Sequence, residues 1–88
     1  MHFQFDPAKA AGNLRKYGVS FADAEGIFYD PLAVHQQDTD CKDEERFVAV
    51  GMGSAGRVLV FVYTFRGEQI RLIFARSATH HEVKQYES

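Results

Sequence analysis

The fold is decided by the stretch VLVFVYTFR, Val58–Arg66, which is followed by the dipeptide Gly67-Glu68 and by QIRLIFAR at residues 69–76. Both runs are rich in β-branched and aromatic residues, a composition typical of β-strands. Two intervening residues with glycine first favour a type II′ turn and therefore an antiparallel hairpin. A turn of this length places Thr64 opposite Arg71, and the register of the hairpin follows from that pairing.

This register divides the hairpin into an apolar face and a more polar face, because successive side chains of a strand point to opposite sides. The apolar face, which we expect to pack on helices, comprises Leu59, Phe61, Tyr63, Phe65, Ile70, Leu72 and Phe74. The opposite face carries Val58, Val60, Val62, Thr64, Arg66, Gln69, Arg71, Ile73 and Ala75. Its aliphatic residues form a patch of the kind that binds partners, unless the last helix of the chain covers them.

A third strand is predicted over Arg46–Met52, and it ends at the turn sequence GSAG of residues 53–56. If these four residues form the loop, Glu45 lies opposite Thr64 and joins the polar end of the second face. One bulge in either hairpin would instead bring Arg46 onto this face and take Glu45 off it.

The N-terminal segment indicates a short strand and a helix. Phe3 and Phe5 alternate with polar residues, which is the pattern of a short edge strand. Asp6-Pro7 predicts a helix start, because the aspartate can cap free N–H groups and proline loses no hydrogen bond at the first helical position. Ala8, Ala11, Leu14 and Arg15 recur at helical spacing, and Gly18 ends this helix.

Two further helices are predicted. A polar loop separates the first of them from the strands, and the other follows the strands. Ser20 begins the second helix and Asp30-Pro31 ends it, leaving a common face of Phe21, Ala24, Ile27 and Phe28. Residues 35–45 are polar and acidic, so we expect a loop there, with one short strand before it. Thr79 begins the last helix, which runs through Tyr86, and Glu82 completes a capping box.

The order of these elements predicts an α+β fold in which N-terminal helices pack on a small antiparallel β-sheet with a C-terminal helix, as a single domain over residues 1–88. The longest apolar run has six residues, Val58 to Tyr63, whereas a membrane-spanning helix needs about 20. The one cysteine, Cys41, cannot form an internal disulfide, which favours a reducing, cytoplasmic location.

The charge is unevenly distributed along the chain. The formal net charge of −2 excludes a strongly cationic nucleic-acid binder. Four arginines nevertheless fall between residues 57 and 76, whereas seven acidic residues fall between 23 and 44. This asymmetry indicates a local basic site that the total charge conceals.

Two or three arginines and one carboxylate on an open sheet face suit an RNA phosphodiester, because the planar guanidinium matches phosphate oxygens and stays charged at every working pH. Cleavage by the neighbouring 2′-hydroxyl also needs a base, for which Glu45 is the candidate, and an acid for the leaving oxygen. The candidate acids are Tyr86, His80 and His81. The alternative interpretation is a solvated cross-strand pair of a glutamate with an arginine, worth less than about 1 kcal/mol.

No cofactor or metal site is predicted. The segment with His35, Asp38, Asp40, Cys41 and Asp43 contains metal-ligand residue types, but its spacing matches neither a zinc motif nor an EF-hand loop. A solvated acidic loop is the interpretation we favour. A metal-dependent hydrolase that uses this loop stays open as an alternative.

Several segments resemble, in the same order, those of the BrnT toxin family. They include FDPAK at residues 5–9, KYGVSF at 16–21, FYDP at 28–31, EERF at 44–47, TFRG at 64–67 and IRLIFAR at 70–76, and the tail with Ala78, Thr79, Glu82 and Tyr86 fits as well. The sequence departs from the family pattern in having Phe5 where tryptophan is frequent and Tyr17 where histidine is frequent. It also has His80, His81 and Val83 in a helix that is often arginine-rich.

The resemblance implies a bacterial type II toxin with a RelE/ParE-like fold that cleaves RNA and blocks translation. It implies a BrnA-like antitoxin with a DNA-binding domain as partner, through which alone the toxin reaches operator DNA and represses its own operon. The positions that match the family, taken together with the register, make Glu45, Arg46, Arg66, Arg71, Arg76 and Tyr86 the candidate catalytic residues. The alternative is a non-enzymatic partner-binding module that co-represses an operon with a DNA-binding protein.

Overall fold

The computed structural model of the protein describes residues 2–39 and 45–88. Its elements are β1 (His2–Gln4), α1 (Pro7–Tyr17), α2 (Phe21–Glu25), a 3₁₀ turn (Gly26–Tyr29), β2 (Val34–Asp38), β3 (Arg46–Met52), β4 (Val58–Arg66), β5 (Gln69–Ser77) and α3 (His80–Glu87). The strands form one sheet in the order β1-β5-β4-β3-β2. The α+β class is therefore confirmed.

The predicted antiparallel sheet is correct for four strands and wrong for the first. β2, β3, β4 and β5 pair antiparallel in sequence order, but β1 pairs parallel to β5. The chain thus starts with an edge strand and not with a helix, and the sheet is mixed. Phe3 lies within this strand, as its alternation predicted, whereas Phe5 follows it.

The turn end of the β4–β5 hairpin has the predicted register, with Thr64 opposite Arg71. Gly67 has a φ of 60°, and a type II′ turn requires a positive φ at its first central position. Beyond Tyr63 a β-bulge shifts the pairing, so that Phe74 lies opposite Val62. The predicted faces of Phe74 and Ala75 are therefore exchanged, and Ala75 is fully buried in the core.

We name the two sides of the sheet by this core. The inner face carries the side chains that pack on α2 and the 3₁₀ turn, and the outer face is the opposite side. Val19, Phe21, Ala24 and Ile27 meet an inner-face set that consists of Ala49, Leu59, Phe61, Tyr63, Ile70, Leu72 and Ala75. The apolar face predicted for the second helix is confirmed.

The predicted register of β3 against β4 is wrong by one residue. Met52 lies opposite Val58, so five residues and not four connect the strands. The backbone of this loop is held by the buried Asp23, whose Oδ1 accepts from the Ala55 N–H at 2.8 Å and whose Oδ2 contacts the Arg57 guanidinium at 3.2 Å. The loop shape is therefore set by a residue more than 30 positions away in sequence.

The inward side of α1 also differs from the prediction. Leu14 is 52% exposed, whereas Asn13 is buried. The Asn13 amide donates to the Ala75 carbonyl at 2.9 Å and accepts from the Ala75 N–H at 3.0 Å. β1 pairs with only the first three residues of β5. The Asn13 side chain thus completes the edge of β5 where β1 has ended, because an amide offers the same donor and acceptor as a peptide group.

The helix ends agree with their predicted signals. Asp6 accepts from the Ala8 N–H, Gly18 is left-handed with a φ of 69°, and Ser20 accepts from the Asp23 N–H. Thr79 and Glu82 form the complete capping box at the start of α3. Local hydrogen bonding determines these boundaries, so they are readable from neighbouring residues.

β2 extends into the predicted loop of residues 35–45. The strand Val34–Asp38 lies at the edge of the sheet and pairs with β3 along its whole length. Its residues are mostly exposed on both faces. No alternation of apolar and polar residues marks such a strand, which is why its composition suggests a loop.

Helix α3 crosses the outer face and covers part of its aliphatic patch. Val60 and Val62 are only 2% and 6% exposed, so the expectation of an open apolar patch is wrong and the alternative, cover by the last helix, is correct. Two side chains anchor α3: Glu82 on Arg76, and Tyr86 on Asp30. Within the described residues, none of the helices is long and apolar enough to cross a membrane.

Candidate functional site

The outer face carries all four arginines of the candidate catalytic set: Arg46, Arg66, Arg71 and Arg76. Arg71 lies opposite Thr64, and Arg66 is two residues beyond Thr64 on β4, so both guanidinium groups start from the same side. Arg76 lies opposite Val60, which shares that side. Arg46 precedes Phe47, an inner-face residue opposite Tyr63, and therefore projects to the outer face. The sequence predicts this exchange, with Arg46 on the face and Glu45 off it, from a bulge, but it results from the five-residue loop between β3 and β4.

Arg76 lies at the end of the outer face that α3 crosses. Its guanidinium makes a two-pronged ion pair with Glu82, at 2.8 and 3.0 Å. The hydrogen bonds and charge of Arg76 outweigh desolvation and lower the pKa of Glu82 to about 2. Hydrogen bonding to Glu82 raises the pKa of Arg76 in turn. This arginine attaches α3 to the sheet.

Tyr86 also lies at this end of the sheet. Its hydroxyl donates to Oδ2 of Asp30 at 2.5 Å, and the same oxygen accepts from the Met52 N–H at 2.8 Å. Desolvation raises the pKa of Asp30, but the hydrogen bonds from Tyr86, Met52 and Leu32 outweigh it and lower the pKa overall. Hydrogen bonding to this carboxylate raises the pKa of the Tyr86 phenol.

The candidate acids are therefore not brought to Arg66 and Arg71. Met52 and Arg46 mark opposite ends of β3, which at about 3.3 Å per residue are roughly 20 Å apart. Tyr86 is bound at the Met52 end. His80 and His81 are exposed at the start of α3, which is held near the same end by the bond from the Ala78 N–H to the Val58 carbonyl.

The opposite end of the outer face is left uncovered by α3, and we call it the open end. Arg66, the last residue of β4, is exposed there. Glu45 lies just before β3, and its carbonyl accepts from the Thr64 hydroxyl at 2.5 Å. Glu45 and Arg66 line one concavity of about 500 Å³, together with Phe47, Thr64 and Phe65. The correction of the register has thus not separated Glu45 from Arg66.

Arg71 and Arg46 flank this concavity. Arg71 is half-buried and lines a second concavity, of about 200 Å³, with Gln4, Phe5 and Asp6. Arg46 lies directly opposite Asp38 of β2, so a carboxylate accompanies it on the outer face. The open end therefore presents three arginines on three adjacent strands, with Glu45 beside one of them.

The chain as a whole matches a known family. The model of the family described as "Ribonuclease toxin, BrnT, of type II toxin-antitoxin system" matches residues 5–82. The chain belongs to this family. The resemblance seen in the sequence is confirmed, and membership gives the chain a ribonuclease toxin role and a protein antitoxin as its partner.

A solved structure has the same fold. The crystal structure of the Brucella abortus ribonuclease toxin BrnT superposes with a TM-score of 0.68 and 24% sequence identity, over 91% of this chain and 99% of the Brucella chain. No curated protein sequence matches this chain at a significant level. The RelE/ParE-like arrangement stays a prediction.

Two aromatic residues of the inner face, at the same end of the sheet as the open end, are missing from the predicted site. Phe65 is 54% exposed, although the alternation along β4 predicts an inward side chain. Phe47 contacts it at 5.4 Å between ring centroids. The sequence pattern correctly assigns Phe65 to the inner face. It cannot show that the helices end before they reach it, because that depends on how the helices are placed.

The acidic segment does not form a metal site among the described residues. His35 and Asp38 are three apart on β2, so they point to opposite faces, and His35 instead bonds the Tyr63 hydroxyl at 2.9 Å. Burial lowers the pKa of His35 and raises that of Tyr63. Within residues 2–39 and 45–88 we find no group of three or more potential metal ligands. Asp40, Cys41 and Asp43 lie outside the described residues.

Proposed function

We propose that this ribonuclease toxin is a metal-independent endoribonuclease whose active centre is the open end of the outer face. The observation that supports this most directly is the convergence of Arg46, Arg66 and Arg71 on one side of three adjacent strands. Arginine is the residue best suited to a phosphodiester, because its fork binds two phosphate oxygens and keeps its charge.

In this proposal Arg66 and Arg71 bind the scissile phosphate. Negative charge builds on its non-bridging oxygens as the neighbouring 2′-oxygen attacks the phosphorus. Fixed guanidinium groups stabilise that charge without reorganisation, and the loss of one such donor typically costs about 10²–10³ in rate. Arg46, accompanied by Asp38, contributes positive potential from the adjoining strand.

Glu45 acts as the general base. Its carboxylate takes the proton of the 2′-hydroxyl, the new 2′-oxygen–phosphorus bond forms, and the bond from phosphorus to the 5′-oxygen breaks. The leaving 5′-oxygen takes a proton from water, and the products are a 2′,3′-cyclic phosphate and a 5′-hydroxyl. Glu45 suits this role because it lines the same concavity as Arg66 while its carbonyl is held by Thr64.

Arg76 and Tyr86 have a positioning role in this proposal and not the catalytic role that the sequence suggested. Both are engaged with carboxylates that attach α3 to the sheet, namely Glu82 and Asp30. Their distance from the open end follows from the length of β3. They act on activity only by keeping the sheet and α3 together.

The remaining expectations concern the cell. We propose that a BrnA-like antitoxin neutralises the toxin, that RNA cleavage blocks translation in the cytoplasm, and that the complex reaches operator DNA only through the antitoxin. The match to a ribonuclease toxin family of toxin–antitoxin systems supports RNA cleavage and neutralisation by a protein antitoxin.

The test is an RNA cleavage assay with purified protein in the presence of a strong chelator. We expect cleavage by the wild type, and its loss in the Arg66→Ala/Arg71→Ala double variant. The matched control is Lys9→Ala/Arg15→Ala, which removes the same two positive charges from exposed positions of α1. Full activity of the Arg66→Ala/Arg71→Ala variant would refute this active centre. Loss of activity with chelator would refute metal independence.

The same assay separates this proposal from the non-enzymatic alternative. A pure binding module would leave RNA intact and would not arrest growth when expressed without the antitoxin. It would still bind the antitoxin. Cleavage that the antitoxin suppresses is the result we expect.

A further inference from the structure

We propose that Phe65, supported by Phe47, is a stacking platform for a nucleobase of the RNA strand beside the scissile phosphate. This inference rests on the proposed function and adds to it a subsite for an unpaired base. It predicts that the toxin binds single-stranded RNA by a base and a phosphate at once.

Phe65 is exposed, unlike the inner-face residues before it on β4. Its inner-face neighbours on the same strand, Phe61 and Tyr63, are 0% and 4% exposed, because the helices cover them. Phe65 lies two residues beyond Tyr63 on the same face of the strand and is 54% exposed. A large aromatic ring at the lip of a concavity offers a flat apolar surface to a ligand, whereas its burial in the core would offer none.

The Phe65 ring is held in place by two other aromatic rings. Phe47 meets it at 5.4 Å with an interplanar angle of 73°, and Tyr63 meets it at 5.7 Å with an angle of 86°. Phe47 and Tyr63 are themselves stacked at 5.6 Å, and the Tyr63 hydroxyl bonds His35. These edge contacts restrict the ring before any ligand binds, which reduces the entropy lost on binding.

Charged side chains line the concavity beside Phe65. Phe65 and Arg66 start from opposite faces of β4, but at the end of the strand both line the same concavity as Glu45. A nucleotide joins a planar base to an anionic phosphate, so an aromatic ring next to an arginine matches both of its parts. A stacked base would also hold the ribose and its 2′-hydroxyl near the carboxylate. Stacking on aromatic side chains tolerates any base, since every base has a π-face.

Phe65→Trp tests this directly, because the chain contains no tryptophan and the variant has a single reporter. The probe is a mixed-sequence 2′-O-methyl oligonucleotide, which cannot be cleaved through its blocked 2′-oxygen. We expect saturable quenching of the fluorescence. The matched control is Tyr29→Trp, at a residue 73% exposed outside the concavity, where we expect no saturable quenching. The proposal would be overturned if the oligonucleotide quenched both variants equally. It would also be overturned if the antitoxin quenched Phe65→Trp and the oligonucleotide did not.

Kinetics give an independent test. Phe65→Leu keeps the apolar bulk against Phe47 but removes the π-face. We expect its KM for RNA to rise about 5- to 150-fold, from the typical strength of one base–aromatic stack, with a smaller change in kcat. Phe65→Trp should restore the wild-type KM. An unchanged KM in Phe65→Leu would overturn the stacking role.

Failure of this inference is distinguishable from failure of the proposed function. A wild type that cleaves RNA, together with an unaffected Phe65→Leu variant, removes the stacking platform and leaves the nuclease. A wild type that cleaves no RNA removes the nuclease. In that case the fluorescence titration still decides whether Phe65 contacts a base.

Discussion

The two ends of the outer face carry the same kind of side chain in different surroundings. At the end crossed by α3, Arg76 is held by Glu82 in a two-pronged ion pair. At the open end, Arg66 is exposed and lines a concavity beside Glu45. The comparison teaches that what packs above a strand decides whether its arginine is bound within the fold, as Arg76 is, or left exposed for the role we propose for Arg66. Four experiments test this division, from the largest expected effect to the smallest.

The largest effect is expected from the open end. Arg66→Ala/Arg71→Ala should lower the rate of RNA cleavage by about 10⁴-fold, since each donor to developing charge typically contributes about 10²–10³. Because Arg66 is exposed, its substitution should change the free energy of unfolding, measured in urea, only slightly. A rate within tenfold of wild type would break the comparison.

Glu45→Gln tests the base at the same end. The neutral amide cannot accept the 2′-hydroxyl proton, so we expect a loss of about 10²-fold in kcat, the lower range for general base catalysis, with KM nearly unchanged. Single-turnover cleavage measures this. Glu68→Gln, in the neighbouring turn, is the control for loss of one negative charge. An equal effect of both substitutions would remove the base assignment.

Asp30→Ala tests the opposite end. It removes the acceptor shared by the Tyr86 hydroxyl and the Met52 N–H, so the free energy of unfolding should fall by about 1–3 kcal/mol. Under conditions where the variant is folded, kcat should stay near the wild-type value. A large fall in kcat without loss of stability would show that Tyr86 belongs to the active centre after all.

Glu82→Gln should give the smallest effect, about 1–2 kcal/mol at pH 7, because the ion pair is partly exposed to solvent. The pKa of Glu82 is lowered from 4.5 to about 2 in the folded protein. Its contribution is therefore complete above about pH 4.5 and is lost as the pH falls towards 2. Urea unfolding of both proteins at pH 7 and pH 2.5 should show the difference shrinking. A constant difference would contradict the ion pair as its cause.

Much of the fold is readable from local patterns. The bounds of β3 and β4, the turn at Gly67 and the caps at Asp6 and Thr79 agree with the prediction, because each depends on residues close in sequence. The shared face of Arg66 and Arg71 follows from the same two-residue turn. This part of the candidate site needed only the period of a strand.

The errors have a common physical origin. In the five-residue loop and at the edge of β5, the side chains of Asp23 and Asn13 bond backbone groups that are distant in sequence. A pattern of apolar spacing contains no information about such long-range hydrogen bonds. The five-residue loop exchanges Glu45 for Arg46 on the outer face.

By itself the sequence determined the α+β class, the central hairpin and the side of the sheet on which Arg66 and Arg71 lie, because strand alternation and turn chemistry act over a few residues. Only the tertiary structure decided which arginine forms an ion pair with α3, how far Tyr86 lies from the open end, and that Phe65 is uncovered. These depend on where a helix comes to rest on a sheet. That position is determined by the sum of contacts between segments far apart in the chain.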